Sequence, residues 1–357
     1  MPILIFLFGF TLPGVLTQGD PVFYYDARSL GLGGNTTVLE NGLNPASICL
    51  IDKILFFTGG FIFEQMERRG LRVYDSYGNN IGISTISVAH TRTLNFNPSG
   101  FVIPIKFFRA GARYYQIFDF NYQFYHEYRD DFYQIIKIVD NSYTGSLNII
   151  APLIGLTYKP LSVGLEPGFV FGKVESELRT VLSNDDSIST EIRNLYGNGL
   201  SFGIILTPSS HLRFAYFYRG SFQVNGDDTL KYPSFHNFGF YYQPPHRIPT
   251  KFVSEINYEF WREPLINYKF GIEHTILYDY FLRYGFSLIT DYNERAIWTT
   301  NLTLGLGVRL KNYYFDVGYA YGKRDYSNYD FGGLGIEQKL IFDETQNHFI
   351  LSFGINL

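Results

Sequence analysis

Hydrophobic and polar positions alternate with a period of two along most of this chain. In the last ten residues Phe349, Leu351, Phe353, Ile355 and Leu357 share one parity. His348, Ser352, Gly354 and Asn356 take the other, with only Ile350 among them. A strand turns successive side chains to opposite faces, so this segment has one greasy face and one small or polar face. It runs to Leu357, where a soluble domain often frays.

The same parity recurs upstream. Leu302, Leu304, Leu306, Val308 and Leu310 alternate with Asn301, Thr303, Gly305, Gly307 and Arg309. Phe315, Val317, Tyr319 and Tyr321 alternate with Asp316, Gly318, Ala320 and Gly322. Phe238, Phe240 and Tyr242, then Ile256, Tyr258 and Phe260, then Leu282, Tyr284, Phe286 and Leu288 repeat the pattern. A β-sandwich alternates too, so the chemistry of the second face decides. Glu255, Glu259, Lys269, Glu273, Arg283, Arg309 and Asp316 all fall on the parity opposite to the greasy one. In a sandwich that face would meet bulk water and the long aromatic runs would crowd a thin core. In a transmembrane barrel the polar face lines a lumen and the aromatics face lipid.

Strands are predicted over 54–64, 82–93, 100–108, 110–127, 143–159, 162–180, 191–207, 211–224, 235–244, 251–262, 267–278, 281–290, 297–310, 313–323 and 346–357. Several exceed the ~9–11 residues that cross a bilayer while tilted. Short breaks at Pro208–Ser210, Asp279–Tyr280 and Lys311–Asn312 read as periplasmic turns. Longer polar breaks at Arg129–Tyr143, Ser183–Thr190, Asp291–Arg295 and Lys323–Asp330 read as outer loops. Phe331–Phe342 is either a further strand or an ordered part of the last outer loop. The expected fold is therefore all-β: a transmembrane antiparallel barrel of about 14 strands, with 12 or 16 as alternatives.

Composition agrees. The chain has 30 Tyr and 35 Phe, charged residues are 17%, and mean hydropathy is −0.05. Its longest strongly apolar stretch, Ile3–Phe10, is far short of the ~20 residues of a spanning helix. No linker or low-complexity tract divides the 357 residues. A net charge of −4 and the absence of a long Lys/Arg run give no support for a nucleic-acid partner. The lone Cys49 has neither a disulfide partner nor metal-ligand spacing around it.

Two segments stand outside the strand pattern. Residues 1–19 read as a signal peptide: an apolar run, Pro13-Gly14, then Thr17-Gln18-Gly19 and cleavage before Asp20, although no basic residue precedes the run. Residues 20–52 are glycine-rich and aperiodic, with an Asn44-Pro45 turn signal, and read as a plug. Residues 53–357 form the expected barrel.

Several motifs carry a family resemblance. These are Ala27-Arg28-Ser29-Leu30-Gly31-Leu32-Gly33-Gly34, then Asn44-Pro45-Ala46, and the hairpins Gly199–Arg219 and Leu304–Tyr321. Together they resemble the FadL-like outer-membrane transporters of long-chain fatty acids and aromatic hydrocarbons, over roughly residues 26–357. The chain departs from that family in its shorter length, in Ser47 after Asn44-Pro45-Ala46, and in ending on Leu357 rather than phenylalanine. A related branch of type IX secretion-associated barrels shares the plug motifs, and its members act as scaffolds or cargo shuttles.

The resemblance implies passive uptake of a hydrophobic small molecule across a Gram-negative-type outer membrane. Gly31, Gly33, Gly34, Asn44, Pro45 and Ala46 are then plug or gate residues, and the plug shifts to open a lateral route. The alternative is a scaffold that binds protein partners without transport. The seven inward charges are expected to pair across neighbouring strands, because an unpaired charge in a narrow lumen is costly. One lumen arginine could also hold a carboxylate head group, and Phe217 and Tyr241 could line an apolar groove. Phe349, Leu351, Phe353, Ile355 and Leu357 would be read by the barrel-assembly machinery. Lipid and lipopolysaccharide surround the wall.

No enzyme is expected. The seven histidines lack ligand spacing, so no metal or cofactor is implied. Gly31-Leu32-Gly33-Gly34 lacks the strand–helix context and acidic partner of a dinucleotide site. Ser209-Ser210-His211 is the nearest approach to a nucleophilic pair and falls on a turn.

Overall fold

The computed structural model describes residues 19–96, 98–182, 185–225, 227–261, 264–292, 295–328 and 339–357. The expected signal peptide, save Gly19, and the segment 331–338 lie outside the described residues. A two-residue strand β1 (Asp20–Pro21), a short helix α1 (Ala27–Gly31) and a 3-10 turn (Pro45–Leu50) come first. The wall begins with β2 (Leu55–Tyr74), β3 (Asn80–Asn95), β4 (Ser99–Ile105), β5 (Phe108–Asp119), β6 (Tyr122–Arg129), β7 (Ile135–Tyr158), β8 (Leu161–Leu182) and β9 (Asp185–Ser209). It continues with β10 (Leu212–Arg219), β11 (Phe222–Val224), β12 (Asp227–Tyr232), β13 (Phe235–Tyr242), β14 (Thr250–Phe260) and β15 (Pro264–Ile276). It ends with β16 (Tyr280–Thr290), β17 (Trp298–Leu310), β18 (Tyr313–Asn328) and β19 (Leu340–Asn356).

Consecutive pieces β3/β4, β5/β6, β10/β11 and β12/β13 each make one stave, so the wall is a closed barrel of fourteen antiparallel staves. Closure runs from Asn356 opposite Leu55 to Ile341 opposite Gly70. The final amphipathic strand is therefore the seam, and Phe349, Leu351 and Phe353 stand on its outer face.

The greasy parity faces outward. Leu302, Leu304 and Leu306 are 61%, 51% and 57% exposed, while Asn301, Thr303 and Asn267 on the other parity are buried. A continuous aromatic and aliphatic belt of this size, on a wall closed by its own strand ladders, is what a lipid-facing surface requires. The short turns, at 106–107, 159–160, 210–211, 277–279 and 311–312, share one end. Tyr280 belongs to β16 rather than to its turn.

Three expected outer loops are largely strand. β7 starts at Ile135, β9 at Asp185, and β18 reaches Asn328. The last expected strand is longer too, since β19 begins at Leu340 and takes in the end of Phe331–Phe342. Apolar alternation stops where a strand leaves lipid, but the backbone ladder continues without it. Sequence periodicity reports the lipid boundary, not the end of the strand.

The belt gives a direct test. Leu304→Arg, at the middle of β17, is expected to destabilise the barrel by ~2–4 kcal/mol, and Leu310→Arg at its end by ~0–1 kcal/mol. Reversible denaturant unfolding in lipid vesicles measures both. Equal costs at the two positions would contradict the assignment of mid-bilayer depth.

Candidate functional site

Residues 20–52 fill the half of the lumen nearest the short turns. α1 is started by a reciprocal cap: Ser29 N donates to Asp26 Oδ1 at 2.7 Å and Asp26 N donates to Ser29 Oγ at 3.0 Å. It stops at Gly33 and Gly34, whose φ of +72° and +84° suit residues without Cβ. Their N–H groups bond Leu30 O (3.1 Å) and Ser29 O (2.8 Å). Gly31 serves a different end. A Cβ there would lie 2.8 Å from Gly305 Cα, and one on Gly305 would lie 2.9 Å from Gly31 Cα. Helix and wall touch backbone to backbone.

The wall repeats that device. Gly164 lies against Pro45 and Ala46, Gly203 against Asn44, Gly239 against Val38, Gly271 and Gly285 against Leu32 and Gly33, and Gly318 against Ala27. Alternation marked Gly305 and Gly318 as part of a small inner face; the purpose of these glycines is visible only with the plug in place.

Asn44 ties the plug down. Its Oδ1 accepts from Ala46 N at 2.9 Å, which caps the 3-10 turn that Pro45 opens. Its Nδ2 donates to Thr37 O at 3.1 Å and to the wall carbonyls of Ile204 and Tyr216, both at 3.3 Å. Cys49 is buried in that turn, its Sγ 3.8 Å from Val163 O.

Six of the seven inward charges are buried, and several serve the plug more than they serve one another. Glu255 pairs with its cross-strand neighbour Lys269 at 3.2 Å, and also accepts from Thr36 N (2.9 Å) and Thr37 N (2.8 Å). Glu273 receives Arg283 at 2.7 Å, Lys251 at 2.5 Å and the plug's Arg28 at 3.2 Å. Arg283 then bonds Asp316 at 2.5 Å. Glu259 departs from the expectation of ionic pairing. Its oxygens accept from Trp261 Nε1 (2.8 Å) and Asn267 Nδ2 (2.7 Å), and no cation lies within 4.0 Å of it among the described residues.

Arg309 also departs, standing exposed at the turn-side mouth with Glu40 of the plug 3.7 Å away. Arg28 (3.5 Å) and Arg213 (4.0 Å) converge on the same carboxylate. Burial alone would raise the Glu40 carboxyl, but Arg28, Arg309, Arg213 and Lys251 together hold it below its ordinary range.

Sequence reasoning missed a second set. Arg113 of β5 donates to Gly42 O (2.7 Å) and Leu43 O (2.6 Å) of the plug and pairs with Glu166. Glu166 also accepts from Tyr115 OH at 2.6 Å, and Arg219 reaches that hydroxyl at 2.8 Å. Arg109 holds Ile51 O at 2.8 Å. Higher in the lumen Arg324 bonds Glu344 (2.6 Å) and the plug's Asp20 (3.3 Å), with Asp291 at 3.7 Å.

Among the described residues the wall has one break. β4 pairs with β5 as far as Ser99 opposite Tyr114, and beyond that β5 leaves the cylinder. Tyr115, Gln116, Ile117, Phe118, Asp119 and Phe120 are all at most 5% exposed, so this segment is covered on both faces. A bulge between Gln116 and Phe118 marks the bend. Among the described residues β3 makes no backbone ladder with β6. Gln123 N to Thr91 Oγ1 (3.1 Å) and Asn95 Nδ2 to Gln116 Oε1 (2.6 Å) cross the space.

The edge of β5 that β3 leaves bare is taken from inside by β1. Asp20 stands opposite Asp119 and Pro21 opposite Phe118, and Val22 N donates to Ile117 O at 3.0 Å. The register alternates hydrogen-bonded with non-bonded pairs, so Pro21, which has no N–H, occupies a position that needs none.

Two cavities border the bend. One of about 30 Å³ lies between residues 20–24 and Phe61, Phe63, His348 and Ile350. The other, about 60 Å³, lies among Tyr25, Tyr115, Ile117, Phe217, Tyr232 and Phe235. Phe217 and Tyr241 both point inward and are buried, and Phe217 lines the second cavity. Above them an aromatic layer crosses the lumen. Phe118 meets Phe120 (4.7 Å) and Tyr292 (6.0 Å), Tyr292 meets Trp261 (4.6 Å), and Trp261 meets Tyr232 (5.6 Å). His211 is exposed on its turn, and no group of His, Cys, Asp and Glu among the described residues could hold a metal ion.

No family model and no curated protein sequence matches the chain. Solved structures do. A Pseudomonas aeruginosa FadL homologue superposes with a TM-score of 0.71 at 12% identity, covering 95% of this chain and 99% of that one. The P. putida toluene transporter TodX gives 0.69 at 12% identity, over 94% and 99%. The monoaromatic hydrocarbon channel CymD gives 0.61 at 13% identity, over 94% and 98%. The chain therefore has the fold of these outer-membrane channels.

Two outcomes follow for the plug. Asn44→Ala is expected to raise hydrogen exchange in residues 42–50 by about ten-fold, as a lost buried bond of order 1–3 kcal/mol implies, with the barrel strands unchanged. Because the Glu40 carboxyl is depressed, its anchoring is complete above the ordinary carboxylate range and is lost as pH falls through the lower folded value. Exchange around residue 40, corrected for intrinsic rates, should stay flat from pH 7 to about 5 and rise below about 4.

Proposed function

We propose that this chain is an outer-membrane channel for hydrophobic small molecules, which leave its lumen sideways through the gap between β3 and β5/β6. The observation that carries this reading is the inward bend of residues 115–120, with β1 seated on the edge it bares. Any such opening in lipid needs its bare backbone covered, and here the cover belongs to the plug. An apolar molecule held in the aromatic layer would reach the gap along Ile117 and Phe118 without crossing water. It would then meet lipid beside Leu94 and Phe96, which are 71% and 73% exposed. The fold shared with channels described as carrying toluene and monoaromatic hydrocarbons supports the same direction. Long-chain fatty acids are an alternative cargo of the same class, and Arg219, next to the larger cavity, is the cation placed to meet a carboxylate head.

The closed lumen belongs to this reading as a resting state. A cavity of about 60 Å³ holds roughly two waters at ~30 Å³ each, so a ring or chain enters only when residues 20–25 withdraw. A scaffold barrel would also have a filled lumen, so the gate must be tested directly.

Val22 and Ile117 are a hydrogen-bonded cross-strand pair, with Cα atoms expected at about 5.5 Å, within disulfide range. A Val22→Cys/Ile117→Cys pair, made with Cys49→Ser, should lock β1 to β5 when oxidised. Uptake of a radiolabelled aromatic hydrocarbon by cells carrying the locked barrel is expected to fall by roughly ten-fold or more and to return on reduction. Uptake that is indifferent to the lock would favour the scaffold.

A further inference from the structure

Buried charge around Asp20 does not balance. Asp20, Asp119, Asp291 and Glu344 gather where β1 meets the wall, and Arg324 is the cation paired with three of them. Glu344 is further satisfied by Gln65 Nε2 (2.8 Å) and Tyr326 OH (2.7 Å). Asp119 is left short. Its Oδ1 accepts from Asn121 N at 3.0 Å and from Asn121 Nδ2, but its Oδ2 is buried without a hydrogen-bond partner. Asp119 is also the direct cross-strand partner of Asp20. Partners in an antiparallel pair point to the same face, so the buried Asp119 carboxylate and the part-buried Asp20 carboxylate are set side by side, an arrangement that ordinarily destabilises a ladder.

The register says where a compensating cation would sit. Val22 and Ile117 form a hydrogen-bonded pair, so two residues earlier Asp20 and Asp119 form the next one. The backbone nitrogen of Asp20 then faces the Asp119 carbonyl. Gly19 crosses at the same point with φ +79°, where an added Cβ would collide with Asp119 O and lie 2.9 Å from Phe120 Cα.

We propose that the chain is processed between Gly19 and Asp20, and that the new α-ammonium of Asp20 is the missing cation of this acidic pocket. A processing peptidase would hydrolyse the Gly19–Asp20 amide with one water. The hydroxyl goes to the Gly19 carbonyl, which leaves as a carboxylate. The nitrogen stays on Asp20 as an amine and takes up protons to become an ammonium. Where an amide nitrogen offers one N–H and no charge, the ammonium offers three donors. One serves the Asp119 carbonyl, and a second can serve the Asp119 carboxylate. Thr17-Gln18-Gly19, small at its first and third positions, suits the residues before such a cut. Processing would then do more than remove a leader, because it completes the contact that seats β1 over the gap. Docking of the ammonium does not depend on what passes through the lumen.

The test uses the full chain expressed with its own N-terminus and purified in detergent from the outer-membrane fraction. Intact mass and N-terminal sequencing should give a mature chain beginning at Asp20. Reductive methylation with formaldehyde at neutral pH should modify the Asp20 α-amine about ten-fold more slowly in the folded barrel than in the denatured chain, as a charge-assisted bond predicts. Asp119→Asn should remove most of that protection, and the folded-to-denatured comparison stands by itself if this variant does not fold. A mature chain starting elsewhere, or an Asp20 amine that reacts equally fast folded and unfolded, would overturn the proposal.

Discussion

A strand in lipid has no water to satisfy its N–H and C=O groups, and everything in this molecule follows from that single demand. Closure of β19 on β2 answers it for the whole cylinder. It also makes conspicuous the one place among the described residues where the ladder lapses. At Tyr115–Phe120 the wall gives up β3–β6 pairing, and the bared edge of β5 is satisfied from inside by three residues of the plug. Wall and plug are therefore not a container and its content. The plug completes the hydrogen bonding of the wall at the point where the wall is open.

The plug is held by two kinds of contact that work at different ranges. Wall glycines let its backbone lie directly against the staves, which fixes position through shape. Buried ion pairs then fix orientation. Glu273 gathers Arg283 and Lys251 from neighbouring staves and Arg28 from α1, and Glu255 receives two plug amides and one lysine. Removing one member of such a set leaves the others buried and uncompensated, a penalty of about 3–5 kcal/mol. The charges are thus better understood as joinery between two parts of the chain than as the coating of an aqueous pore.

Much of the fold was legible because the greasy parity is so regular. Leu302, Leu304 and Leu306, with glycine, asparagine and threonine between them, admit few other solvents than lipid on one side. The stave count followed from spacing. What escaped was of two sorts. Outer extensions such as Ile135–Tyr143 lie beyond the bilayer, where no solvent contrast imposes alternation. The bend was hidden for the opposite reason: Tyr115, Ile117, Phe118 and Phe120 are apolar on both parities, which reads as an ordinary membrane strand. An apolar run that fails to alternate inside an alternating barrel is the signal that could have found it. At the site, Asn44 was legible from a motif, and Glu255 and Glu273 from parity. Arg324 shares that parity and has Glu344 as its direct cross-strand neighbour, whereas Arg113's partners lie in the plug and two staves away, and pairing across a lumen leaves no mark in local sequence.

The seating of β1 also sets a rhythm. It rests on a two-residue ladder and the Val22 N to Ile117 O bond; a few backbone hydrogen bonds at roughly 1 kcal/mol net each would, taken alone, leave the segment detached in on the order of one molecule in a hundred at any instant. The Asp20–Arg324 pair lowers that fraction further. Detachment at such a frequency needs neither nucleotide nor ion gradient, only thermal agitation. On the function proposed above, the wall would stay shut to water and ions almost always, and stand ajar so briefly that only a molecule already waiting in the aromatic layer could use the moment.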